Sequence, residues 1–384
     1  MQPEPPPQPP TNNQLRGTPS TEKAAKTALA EMRKQGSILF ELNNRQGERQ
    51  NFCYLDNFAE LVCLKSENSF DTLSEDSLSI ATTDTNAAEA WKQGWTGKGV
   101  KVAIVDDYRR KSGALAHGVS TRGVVAQIAP EATFMSIQLD LPNTEDDRLV
   151  TAYSQAETNG AHIVNSSFGI DPSSFGIDPF KNNRLLPDRG VLDERVLKEL
   201  ATVSFQKTML PAASTSSFNA NMLFVFAAGN HARDCINGHG AFPNFFQLEK
   251  NLSECSIEGK ALLKLRETEK DAGGRAIFVG SRQDKDAELA SYSLSAGALK
   301  NDFIVAHDDI YRPNDGRGTS FAAPRVAGAA TLVRHKFPSL NGPQLKQVLL
   351  KSADDLGEEG PDEVFGHGRL SIMSALSPIE GLTK

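Results

Sequence analysis

The chain has 384 residues, enough for one large domain with an extension, and apolar residues at 39% with charged residues at 23% are those of an ordinary globular protein. Lys plus Arg is 41 and Asp plus Glu is 48, a formal net charge of −7. A mildly acidic chain without a basic cluster argues against nucleic acid as the main partner. No apolar run approaches the roughly 18 residues of a membrane-spanning helix. The start, Met1-Gln2-Pro3-Glu4, lacks the basic and apolar segments of a signal peptide. The protein is therefore either cytosolic or numbered from behind a removed leader.

Residues 1–20 open with six prolines in ten positions, a composition that builds no core and predicts a disordered, polyproline-like tether. Lys23 to Lys34, rich in Ala, Lys and Glu, predicts a short helix. Strand-like runs follow at Ser37–Leu42, Asn51–Leu55 and Glu60–Leu64, with Asn43 to Gly47 as a hairpin turn. Residues 21–74 thus read as a small α+β unit, either an accessory domain or a pro-segment.

From residue 75 the pattern changes. Val100 to Val105 is apolar on both faces, as in a buried parallel strand. Val119, Val124, Val125 and Ile128 predict a buried helix behind His117. Leu149, Ala152, Tyr153 and Ala156 share one face of a helix over Asp147–Asn159, stopped by Gly160. Further strands are predicted at Ala161–Ser166, Asn221–Phe226 and Ala276–Val279. Phe321 to Lys336 reads as a buried helix, and a last helix is expected from Pro343 to a stop at Gly357. Strands alternating with helices predict an α/β domain over 75–384, a largely parallel central sheet flanked by helices with the small α+β extension before it. Ser166–Pro172 is repeated unchanged as Ser173–Pro179, a local duplication too short for a solenoid repeat.

The four cysteines form two local pairs, Cys53/Cys63 and Cys235/Cys255, without metal-binding spacing. Two short disulfide loops in an oxidising compartment fit this, and four reduced thiols are the alternative. No residues at metal-ligand spacing stand out.

Gly318-Thr319-Ser320-Phe321-Ala322-Ala323-Pro324 runs straight into the buried helix. Ser320 would sit at a helix N-terminus, where the dipole and the first-turn N–H groups favour a developing oxyanion. It reads equally as a cap or as a nucleophile. A nucleophile needs a base and an orienting acid. His117 opens one predicted helix, and Asp106 closes the first apolar strand at its C-terminal end, where open parallel sheets carry their functional groups.

Four segments resemble the subtilisin-like serine proteases, in that family's order. Val102-Ala103-Ile104-Val105-Asp106 resembles the catalytic Asp strand, and His117-Gly118-Val119-Ser120-Thr121-Arg122-Gly123 the catalytic His segment. Phe226-Ala227-Ala228-Gly229-Asn230 resembles the oxyanion-hole Asn segment, and Gly318–Pro324 the Ser signature. The wording is similar to subtilases carried by bacterial autotransporters.

The resemblance implies a subtilisin-like fold and a serine endopeptidase. Ser320 is the nucleophile, His117 the general base and Asp106 its orienting acid, with Asn230 in the oxyanion hole. Ser167-Phe168-Gly169 and Ala227-Ala228-Gly229 flank the substrate. A secreted, cell-surface or periplasmic protein acting on protein or peptide substrates follows, with the N-terminal segment as a candidate membrane tether and a monomer expected. Asp107 is the alternative acid, and Tyr108, standing where the family has Gly, threatens to crowd the site. Insertions at about 170–220 and 231–275 border the cleft, so the rival reading is a subtilase-fold binding or regulatory protein. No cofactor is expected. Only 11 positions separate Asp106 from His117, and three cations, Arg109, Arg110 and Lys111, stand between them, which speaks against the family's structural calcium there.

Overall fold

The structure is a computed structural model. It describes residues 86–109, 116–139, 151–167, 220–230, 274–282, 288–308 and 317–383, with 40–43, 49–55, 61–66, 69–72 and 148–150 as backbone only. The segment 1–20, the Lys23–Lys34 helix, Phe168, Gly169, the second copy of the heptapeptide, almost all of both insertions, Cys235 and Cys255 lie outside these residues.

The N-terminal strands β1 (Phe40–Asn43), β2 (Arg49–Leu55), β3 (Leu61–Ser66) and β4 (Ser69–Thr72) form an antiparallel sheet in chain order. Sequence predicts the first three. The fourth, Ser69-Phe70-Asp71-Thr72, has a single large apolar residue and no run to signal it. In the β2–β3 register Cys53 stands directly opposite Cys63.

A six-residue helix, α1 (Ala87–Lys92), buries Ala87, Ala90 and Trp91, and the Trp91 indole donates to the Ile128 carbonyl at 2.8 Å. It is too short to carry a helical period, and the sequence did not predict it. Next come β5 (Lys101–Asp106), α2 (His117–Ile128), β6 (Thr133–Gln138), α3 (Arg148–Thr158), β7 (Ile163–Ser166), β8 (Leu223–Ala227) and β9 (Ala276–Arg282). A 3-10 turn (Gly297–Asp302) leads into β10 (Phe303–His307), and α4 (Thr319–Lys336), α5 (Gly342–Lys351) and α6 (Ile372–Ala375) close the chain.

Six strands form one parallel sheet in the order β10-β9-β8-β7-β5-β6. β5, β7, β8 and β9 are the predicted apolar runs, buried on both faces because helices cover both. On one face Val102, Ile104, Val225 and Val279 pack against α2, α4 and α5. On the other, Val105, Val164, Phe224 and Phe278 meet Ala152, Tyr153 and Ala156 of α3. Tyr153, Phe224, Phe226 and Phe278 form a continuous aromatic row there, with ring centroids 5.2 to 6.3 Å apart.

One helix–helix contact brings α4 against α2. α4 is buried along almost its whole length, as its unbroken apolar surface requires. It crosses α2 where Gly328 leaves room for Ile128: a Cβ on Gly328 would lie 2.7 Å from the Ile128 Cβ. That close approach locks the helix of Ser320 to the helix of His117. α5 begins with a capping box between Asn341 and Gln344 and has Pro343 in its first turn. It ends at Lys351 rather than at Gly357. Asp354 is drawn into reciprocal backbone bonds with Arg369, 2.8 Å each, and this tertiary pairing overrides the helical period of Ala353 and Leu356.

Candidate active site

β5 lies between β6 and β7, so the connection direction reverses at its carboxyl end, the position where open α/β sheets form their crevice. Asp106 ends that strand and is only 2% exposed. Its carboxylate is enclosed by donors. Oδ1 receives the Asp107 N–H at 2.7 Å and lies 2.7 Å from the His117 Nδ1; Oδ2 receives the Thr121 hydroxyl at 2.9 Å. His117 and Thr121 are one turn apart on α2, so a single helix supplies both contacts.

The first turn of α2 leaves no room for a side chain at Gly118. A Cβ there would stand 2.8 Å from the Tyr108 ring and 3.0 Å from the Asp106 Cβ. Tyr108 therefore packs against the first turn of α2 and the hydrophobic core. Its hydroxyl donates to the Ile104 carbonyl at 3.2 Å, and burial pushes its pKa far up. Asp107, the alternative acid, faces elsewhere. Its carboxylate forms a two-point pair with Arg109, at 2.8 and 2.9 Å, and accepts from Gln138. The Arg109 contacts hold it well below the usual carboxylate range.

The His117 ring, its side chain 38% exposed, lies 5.6 Å centroid to centroid from Phe321, the residue after Ser320. Ser320 is half-buried in the first turn of α4. The preceding Thr319 is fully buried and ties this turn to the end of β8. Its hydroxyl accepts the Gly229 N–H at 3.0 Å and donates to the Asn230 Oδ1 at 3.0 Å, and its own N–H reaches the same Oδ1 at 2.9 Å. With that oxygen facing Thr319, the Asn230 amide nitrogen is the half turned toward Gly318, where a Cβ would approach it to 3.0 Å. Gly318, at φ 153°, thus has two reasons to be glycine.

Of the proposed substrate segments, Ser167 is fully buried, and its hydroxyl accepts the Asn165 amide at 2.8 Å. Ala227, Ala228 and Gly229 extend from the end of β8, the strand beside β7. The Ala228 N–H is bonded to the Val279 carbonyl and the Gly229 carbonyl to the Leu294 N–H. Among the described residues no group of three or more His, Cys, Asp or Glu side chains gathers as a metal site would, and no helix is long and apolar enough to cross a membrane. Sequence reasoning assigned nothing to Thr121 or Thr319. Their hydroxyls acquire meaning only once α2 is set against β5 and α4 against β8.

A family model described as the Subtilase family matches residues 109–368, more than half of the chain. The chain belongs to the subtilase family. The match begins three residues after Asp106, whose place rests on the geometry above. Among relatives, a serotype-specific antigen of Mannheimia haemolytica is 31% identical over 174 residues, 41% of this chain and 16% of that protein. The autotransporter lipoprotein NalP of Neisseria meningitidis is 27% identical over 263 residues, 65% of this chain and 23% of its own. Subtilisin Savinase of Lederbergia lenta is 25% identical over 304 residues, 75% of this chain and 95% of its own. The subtilase thus spans less than a quarter of the first two relatives. Among solved structures, the protease MycP1 of a type VII secretion system aligns at 17% identity and a TM-score of 0.48, over 79% of this chain and 87% of that one.

Proposed function

We propose that this subtilase is a serine endopeptidase that hydrolyses peptide bonds through Ser320, His117 and Asp106. The observation that carries the reading is the 2.7 Å contact between His117 Nδ1 and an Asp106 carboxylate that two further donors hold in place. With its proton held on Nδ1, the imidazole offers Nε2 as a base. Ser320 Oγ attacks the substrate carbonyl carbon while its proton passes to His117 Nε2. Asp106 stabilises the imidazolium. The carbonyl oxygen, now an anion, takes the Ser320 N–H and the Asn230 amide as donors. Collapse expels the amine, which leaves with the proton from His117, and water then releases the acyl group by the same steps.

Ser167 to Gly169 and Ala227 to Gly229, which run on from the ends of β7 and β8 in the chain, are the segments that flank the substrate in this reading. The reading extends to an extracytoplasmic protease acting on secreted or surface proteins, which the names of its relatives support. Such a compartment suits a Cys53–Cys63 bond. Directly opposed residues of an antiparallel pair bring Cα atoms to about 4.5–5.5 Å, within the span of a disulfide. Hydrolysis of an unfolded protein by the purified chain tests the central reading. Turnover is expected and is lost in Ser320→Ala with the fold retained; equal turnover in the variant contradicts it.

A further inference from the structure

The helix of Ser320 carries no cap of its own, because its N-cap residue is Gly318. The first N–H groups of a helix have no acceptor within it, and what takes them decides what the helix end can bind. The Thr319 N–H goes to Asn230 and the Phe321 N–H to the Gly318 carbonyl, at 2.9 and 2.8 Å. The Gly318 N–H goes to Oδ2 of Asp308, at 2.8 Å. Among the described residues nothing takes the Ser320 N–H.

Asp308 is fully buried, one residue beyond β10. The oxygen that accepts from Gly318 also accepts the Tyr292 hydroxyl. Tyr292 belongs to the segment whose Leu294 N–H holds the Gly229 carbonyl, one residue before Asn230. One carboxylate therefore joins the nucleophile turn to the segment that braces the oxyanion loop. A carboxylate without any exposure is costly unless donors surround it, and the positive end of a helix is a favourable neighbour.

We propose that Asp308 is a positioning residue for the reaction at Ser320. By fixing the Gly318 N–H, it sets the direction of the chain through Thr319 into Ser320, and so the aim of the Ser320 N–H and of the Asn230 amide locked to Thr319. It touches no reacting atom. The proposal rests on the peptidase reading above.

The test compares Asp308→Ala and Asp308→Asn with the unmodified chain by kcat, KM, the rate of Ser320 labelling with a fluorophosphonate and thermal melting. Loss of the tie is expected to lower kcat and the labelling rate of Asp308→Ala by roughly 30- to 100-fold with KM nearly unchanged, the scale of an angstrom-sized misplacement. Asp308→Asn still offers Gly318 an oxygen, though a neutral one, and is expected to lose only about 3- to 10-fold. A folded alanine variant with the unmodified kcat and labelling rate overturns the proposal. So does an effect confined to KM, or equal losses in the two variants that follow their melting temperatures. If the alanine variant does not fold, Asp308→Asn decides: a lowered labelling rate at unchanged KM supports positioning, and an unchanged rate overturns it. An unmodified chain that neither labels nor hydrolyses overturns the peptidase reading itself and the proposal with it.

Discussion

Asp106 and Asp107 are neighbours with different partners. Asp106 faces inward to α2, where the imidazole of His117 and the hydroxyl of Thr121 converge on it. Asp107 faces outward to Arg109, and its side chain is 26% exposed. Replacing one carboxylate oxygen by an amide nitrogen separates the two. Asp106→Asn favours the wrong imidazole tautomer, and kcat is expected to fall by about 10⁴, the size established for the same exchange in another Ser-His-Asp protease. Asp107→Asn removes half of a solvent-facing pair, and kcat is expected to stay within a few-fold. A steady-state comparison of the two variants decides which acid orients His117. Asp106, His117, Asn230 and Ser320 could be named as candidates from the sequence because each lies in a short motif bordering an apolar run. Thr121, Thr319 and Asp308 were not, since their value comes from contacts 15, 89 and 10 residues away along the chain.

Among the elements, legibility follows burial for all the parallel strands but one. β5, β7, β8 and β9 announce themselves as apolar runs. β6 at the sheet edge is largely exposed or half-buried, so no run marks it. β10 at the other edge breaks the rule: it is fully buried and its run Phe303 to Ala306 is as apolar as that of β8, so its signal stood in the sequence and was passed over. The C-terminal turn of α4 makes a contact with a pH signature. His335 Nδ1 accepts the Thr96 and Gly97 N–H groups at 3.1 and 3.3 Å. Burial lowers the His335 pKa from 6.5, with Glu131 opposing the shift and Lys98 adding to it. A depressed histidine favours the neutral folded form. Its stabilisation is complete above the unfolded value of 6.5 and is lost as pH falls through that value toward the folded one. His162 and His367, also lowered chiefly by burial, act in the same sense. Melting temperature is therefore expected to fall from pH 8 to pH 5.5. His335→Gln, which offers an oxygen that does not titrate, should make that fall shallower; an unchanged slope contradicts the assignment.

For the molecule as a whole, the parallel sheet and its two helical layers followed from the alternation of strands and helices, whereas the fourth strand of the N-terminal sheet had no such signal. We expect stability to be nearly independent of calcium. The link between Asp106 and His117 is short, and its first cation, Arg109, is already paired with Asp107. A calcium site saturated at about 100 times its Kd would stabilise by roughly 2.7 kcal/mol, so a melt with and without chelator at fixed ionic strength detects it. Equal curves are expected, and a clear drop on chelation contradicts the expectation. The central claim is that Ser320 is a nucleophile activated by His117 and Asp106, and covalent labelling tests it most directly. Incubation of the native chain with a fluorophosphonate, followed by peptide mass spectrometry, is expected to place one adduct on Ser320, absent from His117→Ala. An adduct elsewhere, no adduct, or equal labelling without His117 would contradict the account.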